Sequence, residues 1–165
     1  MKSQILRFLI LIALVFSVLT FPNTARASSI IVNYPFEIPA VDGHCTLREA
    51  LQNANDDALT NADCAAGNGA DIISFDASLS GATITLQAQL IISQDVTIDG
   101  SLLASPISIG GSGPSGSNCE FCFRVFYVNS GVTATLNGLT ITNGYDDFGG
   151  GIANYGTLTL TNSTL

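Results

Sequence analysis

The sequence predicts an all-β chain, a solenoid of short strands wound coil upon coil, with a short helix capping its N-terminal end. Three observations predict it. From Ala82 onward, apolar and polar residues alternate in short runs. Those runs realign with one another at a spacing typical of one coil per repeat. A single capped, amphipathic helix precedes them.

The chain opens on Lys2 and Arg7, followed by an apolar run over residues 8–21 that Pro22 interrupts. Ala25-Arg26-Ala27 then supplies a small-residue cleavage site. Basic, apolar and A-x-A segments in this order make residues 1–27 a secretory signal peptide, with the mature chain starting at Ser28. The competing reading is a retained anchor, but 14 apolar residues fall short of the roughly 20 that span a bilayer. No cysteine lies near the site to carry a lipid.

Residues 28–70 read as an N-terminal cap. Ile30-Ile31-Val32 is a short strand, and an irregular segment with Pro35 and Pro39 follows. Thr46 and Glu49 form a capping box, in which hydroxyl and carboxylate satisfy each other's amides. Leu47, Ala50, Leu51 and Ala54 fall at i, i+3, i+4 and i+7, one apolar stripe. Asn55-Asp56-Asp57 ends the helix, and a polar, glycine-rich loop with Cys64 runs over residues 61–71.

Residues 71–165 read as the start of the solenoid. Strands are expected over residues 82–87, 96–99, 132–137, 139–142 and 157–161. Val96-Thr-Ile-Asp-Gly100 matches Ala134-Thr-Leu-Asn-Gly138, and residues 131–137 align with 156–162 at an offset of 25. The longer first gap places residues 105–122 in a loop inserted into one coil. Asn137 and Asn162 are placed to stack between neighbouring coils or to act as separate turn residues. Solenoid ends need caps, and the helix over 46–55 is suited to cover the first open coil. The last residues, Asn162-Ser-Thr-Leu165, stop in mid-repeat, so further coils are expected beyond them.

Four cysteines in an exported chain argue for disulfides. Sequence proximity favours Cys45–Cys64 and Cys119–Cys122 among three connectivities. A four-thiolate metal site normally uses two close pairs, and Cys45 and Cys64 are far apart. The Cys119/Cys122 spacing also matches a redox motif, without the βαβ context that chemistry uses. After signal removal, 13 acidic residues face only Arg48 and Arg124, a net charge of −11 over 138 residues. Such a chain repels nucleic acid and anionic lipid.

Cys45-Thr-Leu-Arg-Glu-Ala-Leu51, with Gln-Asn-Ala-Asn55 after it, resembles the Cys-Ser-Leu-Arg-Glu-Ala motif of the CSLREA domain, Thr46 standing for the commoner serine. Gly149-Gly-Gly-Ile-Ala-Asn-Tyr-Gly-Thr-Leu-Thr-Leu-Thr-Asn-Ser-Thr-Leu165 is similar to the repeat of polymorphic outer membrane proteins. The resemblance implies a single-stranded right-handed parallel β-helix of the pectate-lyase-like kind. It implies export to the outer membrane, the bacterial cell surface or the medium, with any membrane attachment in a further C-terminal region.

Three functions compete. The first is a non-enzymatic, structural or adhesin-like surface module whose partners are host or environmental glycans or proteins. The second is a polysaccharide lyase or glycoside hydrolase of the pectin-lyase-like fold, its active site further downstream. The third is a calcium-stiffened structural protein. A lyase needs a strong base beside an acidic sugar, yet residues 28–165 hold no lysine, one histidine (His44) and two arginines. Hydrolysis needs two carboxylates about 5–10 Å apart. The neighbours Asp146 and Asp147 would face opposite ways on a strand, and Asp95 and Asp99 bracket one strand as turn-formers. No catalytic residue, metal ligand or cofactor is therefore assigned, and calcium is considered only around Asp146, Asp147 and Asn154.

Overall fold

A computed structural model describes residues 27–111 and 122–165. The segment expected to be a signal peptide, up to Arg26, and Cys119 lie outside the described residues. The described chain is all-β but for one helix, α1 (Leu47–Asp56), and a 3-10 turn at Ala77–Leu79. Its strands are β1 (Ser29–Val32), β2 (Asp71–Phe75), β3 (Thr83–Leu86), β4 (Leu90–Ile92), β5 (Val96–Asp99) and β6 (Ile107–Gly111). Then come β7 (Phe126–Val128), β8 (Thr133–Asn137), β9 (Leu139–Thr142), β10 (Ile152–Asn154) and β11 (Thr157–Thr161).

The strands form three sheets, ordered β1-β2-β5-β8-β11, β3-β6-β9 and β4-β7-β10, with every pairing parallel. From β2 onward the chain visits the three sheets in strict rotation. Each strand therefore pairs with its counterpart from the previous circuit. A bridge from Thr164 to Thr140 continues the second sheet after β11.

Alternation explains the stacking. Ile73, Ile98 and Leu136 align in adjacent strands and are fully buried, while Thr97 and Thr135 between them point outward. Ile84, Ile109 and Ile141 form a second buried column, and Leu90 lies beside Phe126 in a third. Each such side chain contributes about 1.5–3 kcal/mol by leaving water. A one-residue slip would turn these columns outward, so burial fixes the register.

The pairing of the last strand corrects the offset of 25 expected between the last two repeats. β11 pairs with β8 at Thr157–Thr133 and Leu160–Leu136, an offset of 24. An offset of 25 would have set Leu158 beside Thr133 and threonine beside alanine. Asn162 instead aligns with Gly138, and both adopt left-handed backbone, at φ 50° and 69°. A second correction concerns residues 105–122. Residues 107–111 are strand β6, packed so closely that a Cβ on Gly110 would sit 2.6 Å from the Thr142 carbonyl oxygen. Strands β2, β4, β7 and β10 were not anticipated; three of them have only three residues, too few to display a period.

Candidate functional site

The motif-bearing helix and the loops around it hold most of the buried polar groups, so the cap is the candidate site. Thr46 is extended and stands just before the first helical turn. Its Oγ1 accepts from the Glu49 amide at 3.2 Å. Glu49 Oε2 accepts in return from the Thr46 amide and hydroxyl, both at 3.0 Å. Glu49 Oε1 takes the Ala40 amide at 3.1 Å. Glu49 is 2% exposed, and these amide and hydroxyl donors satisfy both of its carboxyl oxygens there.

Cys45 and Cys64 form a disulfide with Cα atoms 4.9 Å apart. It ties the start of α1 to the loop that follows the helix. Asn53, fully buried, holds the same loop: its Nδ2 donates to the Asn61 and Ala65 carbonyls, and its Oδ1 accepts from the Asn61 amide at 2.7 Å. Gly67 passes against the Asn53 carbonyl where no side chain fits. Asn33 latches the near side, its amide donating to the Cys45 carbonyl and its Oδ1 accepting from the Cys45 amide. Cys122 is disulfide-bonded as well.

Arg48 leaves the helix toward the β3–β4 turn. Its Nε donates to Glu37 Oε2 at 2.6 Å, Nη1 to the Gln89 carbonyl at 3.2 Å and Nη2 to the Ala88 carbonyl at 2.6 Å. Seven residues on, Asn55 reaches β4 itself. Its Nδ2 donates to the Ile91 carbonyl and its Oδ1 accepts from the Ser93 amide, each at 2.8 Å. These are the two groups that a neighbouring parallel strand would pair, so a carboxamide stands in for a peptide on the free edge of β4. The groove between helix and edge, about 310 Å³, is lined by Arg48, Leu51, Gln52, Asn55, Gln89 and Ile91. Glu37 Oε1 is buried without a partner, and burial raises the Glu37 carboxyl against the opposing pull of Arg48.

The other candidate residues are engaged in turns and stacking. His44 stacks on Tyr34 with centroids 4.3 Å apart. Asp95 Oδ1 accepts from the Thr133 amide, and Asp99 Oδ1 from the Ser101 amide and Asn137 Nδ2. Asn162 Nδ2 donates to Asn137 Oδ1 at 3.4 Å, so Asp99, Asn137 and Asn162 make a ladder across three circuits. Asp146 pairs with Arg124 at 2.6 Å, and that hydrogen bond holds its carboxyl below the usual range. Arg124 also lies over the Tyr127 ring at 5.5 Å, and Tyr127 is 5.2 Å from Tyr155. Asn154 Oδ1 accepts from the Gly156 amide. Among the described residues no group of three or more His, Cys, Asp or Glu side chains could hold a metal ion. No described helix is long and apolar enough to cross a membrane.

Sequence reasoning missed Asn33, Glu37, Asn53 and Asn55. One signal was present: Arg48 and Asn55 are seven residues apart, hence two turns along one helix face. The chain matches no known family model, no curated protein and no solved structure.

Proposed function

We propose that this chain is an exported scaffold, a right-handed parallel β-helix of the pectin-lyase-like kind with a CSLREA-like cap, that presents its outer faces to partners and carries no reaction of its own in this segment. One observation carries the reading. The polar side chains of the motif are engaged in closing the fold: Thr46 and Glu49 cap the helix, and Arg48 and Asn55 hydrogen-bond the β3–β4 turn and the β4 edge. The acidic residues that could have served hydrolysis support the same reading, since Asp95 and Asp99 hold turns and neighbouring strands. Exposed Tyr145, Phe148 and Tyr155 offer a surface for a glycan or protein partner. Expression in a Gram-negative host, fractionation and N-terminal sequencing test export. A chain beginning at Ser28 outside the cytoplasm is expected, and an intact N-terminus in the cytoplasm overturns the proposal. Release of unsaturated uronides from polygalacturonate by the purified protein would overturn the non-enzymatic part.

A further inference from the structure

Asp71 opens β2, is 1% exposed and carries a carboxylate deep in the cap. Among the described residues the ion pairs are Arg48–Glu37 and Arg124–Asp146, so Asp71 has no side-chain cation. Its oxygens accept from backbone amides instead: Asn68 at 3.0 and 3.1 Å, and Ser28 at 2.8 Å to Oδ1. Ser28 is the residue that follows the Ala25-Arg26-Ala27 cleavage site. It is held in place from two further sides. Its hydroxyl donates to the Ala66 carbonyl at 2.5 Å, and its carbonyl accepts from the Ile72 amide at 2.9 Å. Ala27, one residue earlier, is exposed.

We propose that cleavage after Ala27 is a maturation step that completes the cap, because it converts the nitrogen bound to Asp71 from a neutral amide to an ammonium. This rests on the export reading above. A signal peptidase adds water across the Ala27–Ser28 bond. The C–N bond breaks, Ala27 leaves as a carboxylate, and the Ser28 nitrogen takes the protons to become –NH₃⁺. The same atom, already 2.8 Å from Asp71 Oδ1, now carries the counter-charge that a buried carboxylate lacks. The pair clamps the start of β1 onto β2. The precursor, acylated at Ser28, has only an amide there, so it is the less stable form while it is being exported.

The sign follows from the ammonium. Docking raises its folded pKa above the free α-amino value of about 8. The added stability is therefore fully present below about pH 8 and is lost as pH rises through the raised value. Asp71 is the acid of the pair. Other charged groups nearby are Asp95, whose carbonyl accepts the Asp71 amide, and Asp57, which accepts the Gly69 amide.

The test uses the whole chain from Ser28, released from a cleavable fusion so that Ser28 is the first residue, beside the same chain with Ala27 retained. The Ser28 form should show a folding equilibrium constant about tenfold larger at pH 6.5, as one unit of pKa shift implies, and the difference should vanish above about pH 10. Asp71→Asn should abolish it. Because that variant could fail to fold, a second measurement needs no substitution. Residues 28–165 contain no lysine, so the α-amine is the sole primary amine. Its acylation rate against pH should have a higher midpoint in the folded than in the urea-unfolded protein. Equal midpoints, or equal stability of the two chains, would overturn the proposal. Failure of the export reading shows separately, as a natural N-terminus other than Ser28.

Discussion

Asn55 and Ile91 are joined by a hydrogen bond from a helix side chain to a strand carbonyl, Nδ2 to O at 2.8 Å, at the free edge of a parallel sheet. With Ser93 donating to the same carboxamide, a single side chain takes two groups on this edge, the Ile91 carbonyl and the Ser93 amide just past β4. An open edge of this kind is a template for pairing with other chains, and the cap closes it with side chains alone.

Arg48 should be the most costly polar residue of the cap to remove. Arg48→Ala frees two carbonyls and strands Glu37 in the interior. The expected loss is about 1–3 kcal/mol in urea unfolding. Glu37→Gln in the same chain should recover part of it, because the buried charge is gone. A double-mutant cycle measures that coupling.

Glu37 makes stability depend on pH in the direction opposite to ordinary acid denaturation. Its folded pKa is raised from 4.5, mainly by burial. The folded state therefore binds the proton more tightly, and this group adds stability as pH falls through its raised value toward 4.5. The stability difference between the wild type and Glu37→Gln, followed from pH 7 to pH 4.5, should change by that increment. A flat difference would contradict it.

The Cys45–Cys64 bridge closes a loop of sequence separation 19 around α1. Replacing both residues with alanine should cost about 3 kcal/mol, read as a lower urea midpoint.

The buried columns give a test of register. Ile98→Ala removes a fully buried side chain flanked by Ile73 and Leu136 and should cost about 2–5 kcal/mol. Thr97→Ala, one residue away on the outer face, should change stability by less than about 0.5 kcal/mol.

The local features were legible in the sequence because they repeat or act over a few residues. Thr46 and Glu49 lie three apart, and Val96-Thr-Ile-Asp-Gly100 already carries the register in which it pairs with Ala134-Thr-Leu-Asn-Gly138. The offset of 25 at the last repeat went astray because glycine-to-glycine and asparagine-to-asparagine matches outweighed the parity of the apolar positions. β4, β7 and β10 are too short to show a period, and β6 was hidden by the glycines that let it pack against β9. The roles of Glu37, Asn53 and Asn55 stayed hidden for another reason. Each depends on a partner 8 to 38 residues away whose position only the folded chain defines.

The most direct test of the cap as an edge closure is amide hydrogen exchange at Ser93. In the wild type its amide donates to Asn55 Oδ1 and should be protected. In Asn55→Ala it should exchange at least about tenfold faster, with Phe126 and Val128 amides, inside the sheet, unchanged. Equal protection at Ser93 in both chains would contradict the account.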